Sequence, residues 1–144
     1  MKKQPKITTK IAIIVSKFNA EITSDMKKFA EKRSRELGMK VEYIIEVPGA
    51  FEIPFALSKV LKKSIEGVAV IGAVVKGDTS HDEVIVYSIA EKILELSIAY
   101  KKPVTFGVIG PNAGWDKAAK RKREYAERSI ESLFEMVSIN NRNL

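Results

Sequence analysis

Four short runs of aliphatic, mostly β-branched residues, each followed by a stretch with helical spacing, leave this chain few ways to fold. The runs are Ile11–Val15, Val41–Val47, Val68–Ile71 and Val104–Ile109. The first and third have the length and composition of strands buried on both faces. The second alternates more and is expected nearer an edge. After the first run, Glu21–Leu37 carries Ile22, Met26, Phe29, Ala30 and Leu37 near helical spacing. Asn19 or Thr23 is placed to cap that helix, and Gly38 suits the left-handed position that follows one. Ala50–Lys63 resumes the spacing. Pro54 is best tolerated in a first turn, which puts the helix start near Glu52 or Ile53. Glu83–Tyr100 and Trp115–Val137 are the third and fourth helices. The β-α-β-α-β-α-β-α order with short connections predicts an α/β fold. It is a three-layer αβα sandwich, a four-stranded parallel sheet with helices on both faces. The 144 residues suit one domain spanning 1–144. So small a sheet leaves apolar helix surface that a second copy is expected to cover, making a homo-oligomer.

Composition narrows the function classes. There is no cysteine, so neither disulfides nor thiolate chemistry are available, and one histidine with scattered carboxylates meets no metal-ligand spacing. No stretch approaches the ~18 apolar residues of a membrane span. Residues 1–10 are basic and precede a strand rather than a cleavage site, so a flexible N-terminus and a cytoplasmic location are the expectations. The tail, 139–144, is polar and expected to fray. The formal net charge is +7, with the excess in the first ten residues and in Lys117–Arg128. Interleaved Glu makes a solvated helix face the simplest account of the second cluster. Stacked aromatics with interleaved Arg on one strand, as in many RNA binders, are missing, and neither a nucleic acid nor a membrane is expected as a partner. No P-loop and no glycine fingerprint after the first strand indicates a nucleotide cofactor.

In a parallel sheet the loops that follow the strands gather at one end, where open α/β sheets bind ligands. Here they hold Phe18-Asn19, Pro48-Gly49-Ala50-Phe51-Glu52, Lys76-Gly77-Asp78-Thr79-Ser80-His81 and Gly110–Trp115. Two aromatics, hydroxyls, carboxylates and the one histidine suit a flat polar ring bearing a hydroxylated chain, with a phosphate nearby. Phe18 either plugs the sheet end or faces a ligand. Phe51 either staples a helix start or does the same. Glu52 either complements a helix dipole or binds hydroxyls. Gly77-Asp78-Thr79 precedes a helix and offers a phosphate cradle, although Asp78 is equally placed as an N-cap. His81, in the loop, is the side chain suited to moving protons near neutral pH.

At these residues a family resemblance becomes specific. VPGAFEIP (Val47–Pro54) and GAVVKGDTSHDE (Gly72–Glu83) resemble the two signature stretches of the 6,7-dimethyl-8-ribityllumazine synthase family. KFNAEIT (Lys17–Thr23) is similar to its first-loop motif and KPVTFGV (Lys102–Val108) to its fourth strand. The likeness runs from about Ile11 to Val137 and is nearest the archaeal branch. It implies a flavodoxin-like fold and a transferase that uses no metal or organic cofactor. Its small-molecule substrates would be 5-amino-6-(D-ribitylamino)uracil and L-3,4-dihydroxy-2-butanone 4-phosphate, and its products a lumazine, phosphate and water, a step of riboflavin biosynthesis. By family position, Phe18 stacks on the pyrimidine, and Ala50, Phe51 and Glu52 hold its ring and ribityl chain. Ala73, Val74 and Val75 offer backbone groups to the same substrate. Asp78 and Thr79 meet the butanone phosphate, and His81 transfers protons. Phe106 reaches the pyrimidine from a neighbouring subunit, and Arg121 binds phosphate, with Arg123 and Arg128 as alternatives in the same helix. The resemblance also implies pentamers, bare or packed twelve to a 60-subunit shell. Lys76 stands where many relatives have Arg, and Asp82 where bacterial members often carry an aromatic.

Overall fold

The computed structural model describes residues 8–142. Strands β1 (Lys10–Ser16), β2 (Lys40–Val47), β3 (Gly67–Ala73) and β4 (Val104–Ile109) alternate with helices α1 (Ala20–Glu36), α2 (Ile53–Val60), α3 (His81–Tyr100) and α4 (Trp115–Asn140). A single 3-10 turn, Ala50–Glu52, leads into α2. The sheet is parallel throughout, in the order β2-β1-β3-β4. The alternating second strand is therefore at an edge, as its pattern predicts, and the apolar β1 and β3 lie in the middle.

Alternation along the central strands builds two cores. Ile11, Ile13 and Val15 of β1, with Ala69 and Ile71 of β3, pack against Ile22, Met26 and Ala30 of α1 and Ile130, Leu133 and Val137 of α4. Ala12 and Ile14, with Val68 and Val70, face Ile53, Leu57 and Val60 of α2 and Ile89 and Ile93 of α3. Successive strand side chains point to opposite faces, so a strand in mid-sheet must be apolar at every position to serve both cores.

Local chemistry sets the element ends. Pro54 occupies the first turn of α2. Gly38 ends α1 with φ 77°, a conformation that costs little only without a Cβ. Several boundaries depart from the sequence reading. Lys10 already pairs with Lys40 in the sheet, so the segment expected to be flexible does not run as far as residue 10; residues 1–7 lie outside the described residues. Ile139 and Asn140 belong to α4, and the Asn140 side-chain amide donates to the Lys101 carbonyl at 3.1 Å. Asn143 and Leu144 lie outside the described residues. Asn19 occupies the N-cap position of α1, as expected, though without a side-chain cap bond, whereas Thr23 is buried within the helix. Ser80, not Asp78, occupies the N-cap position of α3.

Candidate active site

Four connections meet at the carboxyl end of the sheet, and backbone and side-chain bonds tie them together. The Lys17 and Phe18 amides donate to the carbonyls of Val47 and Pro48 at 2.8 and 3.0 Å, zipping the β1–α1 loop to the β2–α2 loop. Asn19 takes the left-handed conformation, φ 63°, and its side-chain amide donates to the Ala73 carbonyl at the end of β3 (2.8 Å). The Val74 and Lys76 amides donate to the Ile109 and Ala113 carbonyls, each at 2.8 Å, joining the β3–α3 loop to the β4–α4 loop. Gly110 makes that junction possible: a Cβ there would sit 2.6 Å from the Val74 carbonyl oxygen.

The bonded loops enclose an open cavity of about 450 Å³. Its wall brings together nine of the residues singled out in the sequence: Phe18, Ala50, Phe51, Glu52, Ala73, Val74, Val75, Thr79 and His81. Phe18 is 72% exposed and Phe51 70%. Phe18 therefore does not plug the sheet, and Phe51 staples no helix. Two bare aromatic faces at a cavity mouth are costly in water unless something flat covers them. Glu52 is half-buried, its carboxylate turned back over Gly49. His81 is the first residue of α3 rather than a loop residue, and its backbone N–H donates to Thr79 Oγ1 at 3.3 Å. The imidazole thus stands on a rigid helix, exposed, at the positive end of the dipole.

Three singled-out residues lie elsewhere. Asp78 is exposed in the β3–α3 loop and is not part of the wall. Phe106 lies on the edge strand β4, in a separate crevice with Thr105, Tyr125 and Arg128. Arg121 points to solvent on α4 and donates to Glu124 at 3.0 Å. Of the alternatives to Arg121, Arg123 pairs with Glu127 and lies over the Phe29 ring, while Arg128 shares the crevice of Phe106 and reaches Glu124 from the other side. The same carboxylates neutralise much of the basic cluster. Lys122 donates to Asp25 of α1 at 2.6 Å and holds that carboxyl below its ordinary value, as Lys27 does Glu46. The wall also includes Asn19, Gly49, Gly77, Asp82 and Ile85. Ile85 carried the only available signal of the missed residue: it is four positions after His81 and so shares its helix face.

Residues 8–141 match the family of 6,7-dimethyl-8-ribityllumazine synthase. The chain belongs to that family. It is 46% identical to the 6,7-dimethyl-8-ribityllumazine synthase of Aeropyrum pernix over 129 residues, 88% of each chain. Proteins of the same name from Staphylothermus marinus and Saccharolobus solfataricus are 42% and 41% identical over 90% and 89% of this chain, covering 87% and 84% of their own lengths. The archaeal likeness, carried by Gly110-Pro111 and by Arg121–Glu131 of the last helix, is thus matched over nearly the whole length.

Proposed function

We propose that the chain is a 6,7-dimethyl-8-ribityllumazine synthase that condenses 5-amino-6-(D-ribitylamino)uracil with L-3,4-dihydroxy-2-butanone 4-phosphate. The observation that carries this is the meeting of Phe18, Glu52 and His81 at one cavity in a chain of this family. An exposed ring at the mouth suits stacking on the pyrimidine. The strand-end backbone at Ala73–Val75 suits the polar edge of that ring, and the Glu52 carboxylate suits ribityl hydroxyls. Thr79 precedes α3, where partial positive charge favours a phosphate. In this reading the pyrimidine amine attacks the ketone of the butanone phosphate, water leaves as the imine forms, phosphate is eliminated, and ring closure expels further water. These steps are proton movements between two oriented reactants. Orientation supplies up to ~7–11 kcal/mol, and His81, reaching into the cavity from a rigid helix, is the proton carrier.

The reading extends to assembly in a pentamer, bare or within a 60-subunit shell, in the cytoplasm. The outer side of α3 supports it: Val84, Tyr87, Leu94 and Ile98 line one stripe and are 61–75% exposed. Apolar side chains in such a row mark a surface made to be covered. Phe106 and Arg121 or Arg128 would then complete a neighbour's cavity. Mixing the protein with both substrates is the test: a fluorescent lumazine is expected, and its absence, with the protein folded and both substrates intact, rules the reading out.

A further inference from the structure

Asp82 has a role that neither the resemblance nor the reaction requires. It is 4% exposed, in the first turn of α3 immediately after His81. An acidic residue there would ordinarily sit in solvent and complement the helix dipole. Instead its Oδ2 accepts the backbone N–H of Asn112 at 2.9 Å, thirty residues on in the β4–α4 loop. Asn112 holds a left-handed backbone, φ 66°. The neighbouring Ala113 carbonyl accepts the Lys76 amide. The β3–α3 loop is therefore fastened to the β4–α4 loop on both sides of its exposed stretch, at Lys76 before it and Asp82 after it. Between those two points lie Gly77, Asp78, Thr79, Ser80 and His81, all exposed.

We infer that Asp82 is a positioning residue: by gripping the Asn112 amide it fixes the first turn of α3 and thereby the direction in which His81 and Thr79 meet the substrates. A hydrogen bond from a charged acceptor is among the stronger ones available to a backbone amide. It acts in the first turn of α3, ahead of the first fully buried apolar side chain, Val86. The bond also makes the β4–α4 loop part of the site's support.

The inference rests on the synthase reading, and the experiment separates the two. Asp82→Ala and Asp82→Asn are compared with the wild-type oligomer by steady-state kinetics and by hydrogen–deuterium exchange of the segment containing Asn112. The amide oxygen of Asn can still accept the Asn112 N–H. Asp82→Ala is expected to lower kcat by about tenfold or more, with KM for the pyrimidine within roughly threefold, because misplacement of a reacting group costs rate rather than affinity. Exchange at Asn112 should quicken in the same variant. Asp82→Asn should recover most of kcat and of the protection. Wild-type kcat in Asp82→Ala, an activity loss no larger than its loss of folded protein, or unchanged Asn112 protection would each overturn the assignment. If the wild type makes no lumazine, the synthase reading fails, and the exchange comparison alone decides whether Asp82 holds the loop.

Discussion

The cavity at the sheet end and the crevice beside β4 divide the required chemistry between them. The first has two exposed aromatic rings, two carboxylates and the histidine, but no Lys or Arg among the described residues that line it. The second has two aromatic rings and an arginine, but neither a carboxylate nor a histidine among the described residues of its wall. A reaction that moves protons and expels phosphate needs both sets. Within one chain the first is built on the loops at the sheet end and the second on β4 and α4, and they open separately, as the proposed shared site would require. Each rests on a sheet whose central strands are buried from Ile11 to Ser16 and from Gly67 to Ala73.

The division can be broken at either half. The largest effect is expected at the cavity: His81→Ala should lower kcat by about 10²–10⁴-fold, the usual contribution of a placed proton carrier, with residual turnover from orientation alone. Steady-state kinetics checks this, and an unchanged kcat would remove His81 from the chemistry. Next comes a contrast between support and rim. Leu57→Ala, fully buried in the α2–α3 core, should cost ~2–5 kcal/mol in denaturant unfolding. Phe51→Ala, on the rim, should cost less than ~1 kcal/mol yet raise KM for the pyrimidine. Equal destabilisation would mean that Phe51 packs rather than binds.

At the crevice, Arg121→Ala and Arg128→Ala compete. The family position favours Arg121, while the shared wall with Phe106 favours Arg128. Whichever binds phosphate should raise KM for the butanone phosphate about tenfold when removed, near the 1.4 kcal/mol of a modest charged contact. The other should change it little, and no change in either variant would put the phosphate elsewhere. The smallest effect belongs to the Asp25–Lys122 pair, which ties α1 to α4 and lines neither region. Lys122 lowers the Asp25 value, so the pair's contribution is present above the unfolded carboxyl value and fades as pH falls through the folded one. Thermal midpoints of wild type and Asp25→Asn should therefore differ slightly near neutrality and converge in acid, with turnover unaffected.

Much of this was legible in the sequence because the strands are short, apolar and separated by clear breakers. Val104–Ile109 is β4 to the residue, and a parallel order alone sends all four loops to one end. Four features were not. The α3 pattern reads as apolar nearly all round, which hides that Val86, Ile89 and Ile93 face inward while Val84, Tyr87, Leu94 and Ile98 face out. The Asn19 bond to Ala73 and the Asp82 bond to Asn112 join residues 54 and 30 positions apart, and no local spacing encodes them. Phe51 has the residue type and position of a staple, and only its exposure shows otherwise. The register of an arginine on α4 is likewise beyond spacing, because Glu124 lies within reach of both Arg121 and Arg128.

Subunit complementation tests the shared site most directly. His81→Ala is unfolded, mixed with whichever of Arg121→Ala or Arg128→Ala is the weaker enzyme, refolded together with it, and assayed at low butanone phosphate. If neighbouring chains complete each cavity, about a quarter of the junctions in a random ring regain both residues, and activity should rise well above that of either variant refolded alone. Activity equal to the average of the two parents, in oligomers shown to be mixed, would contradict the account.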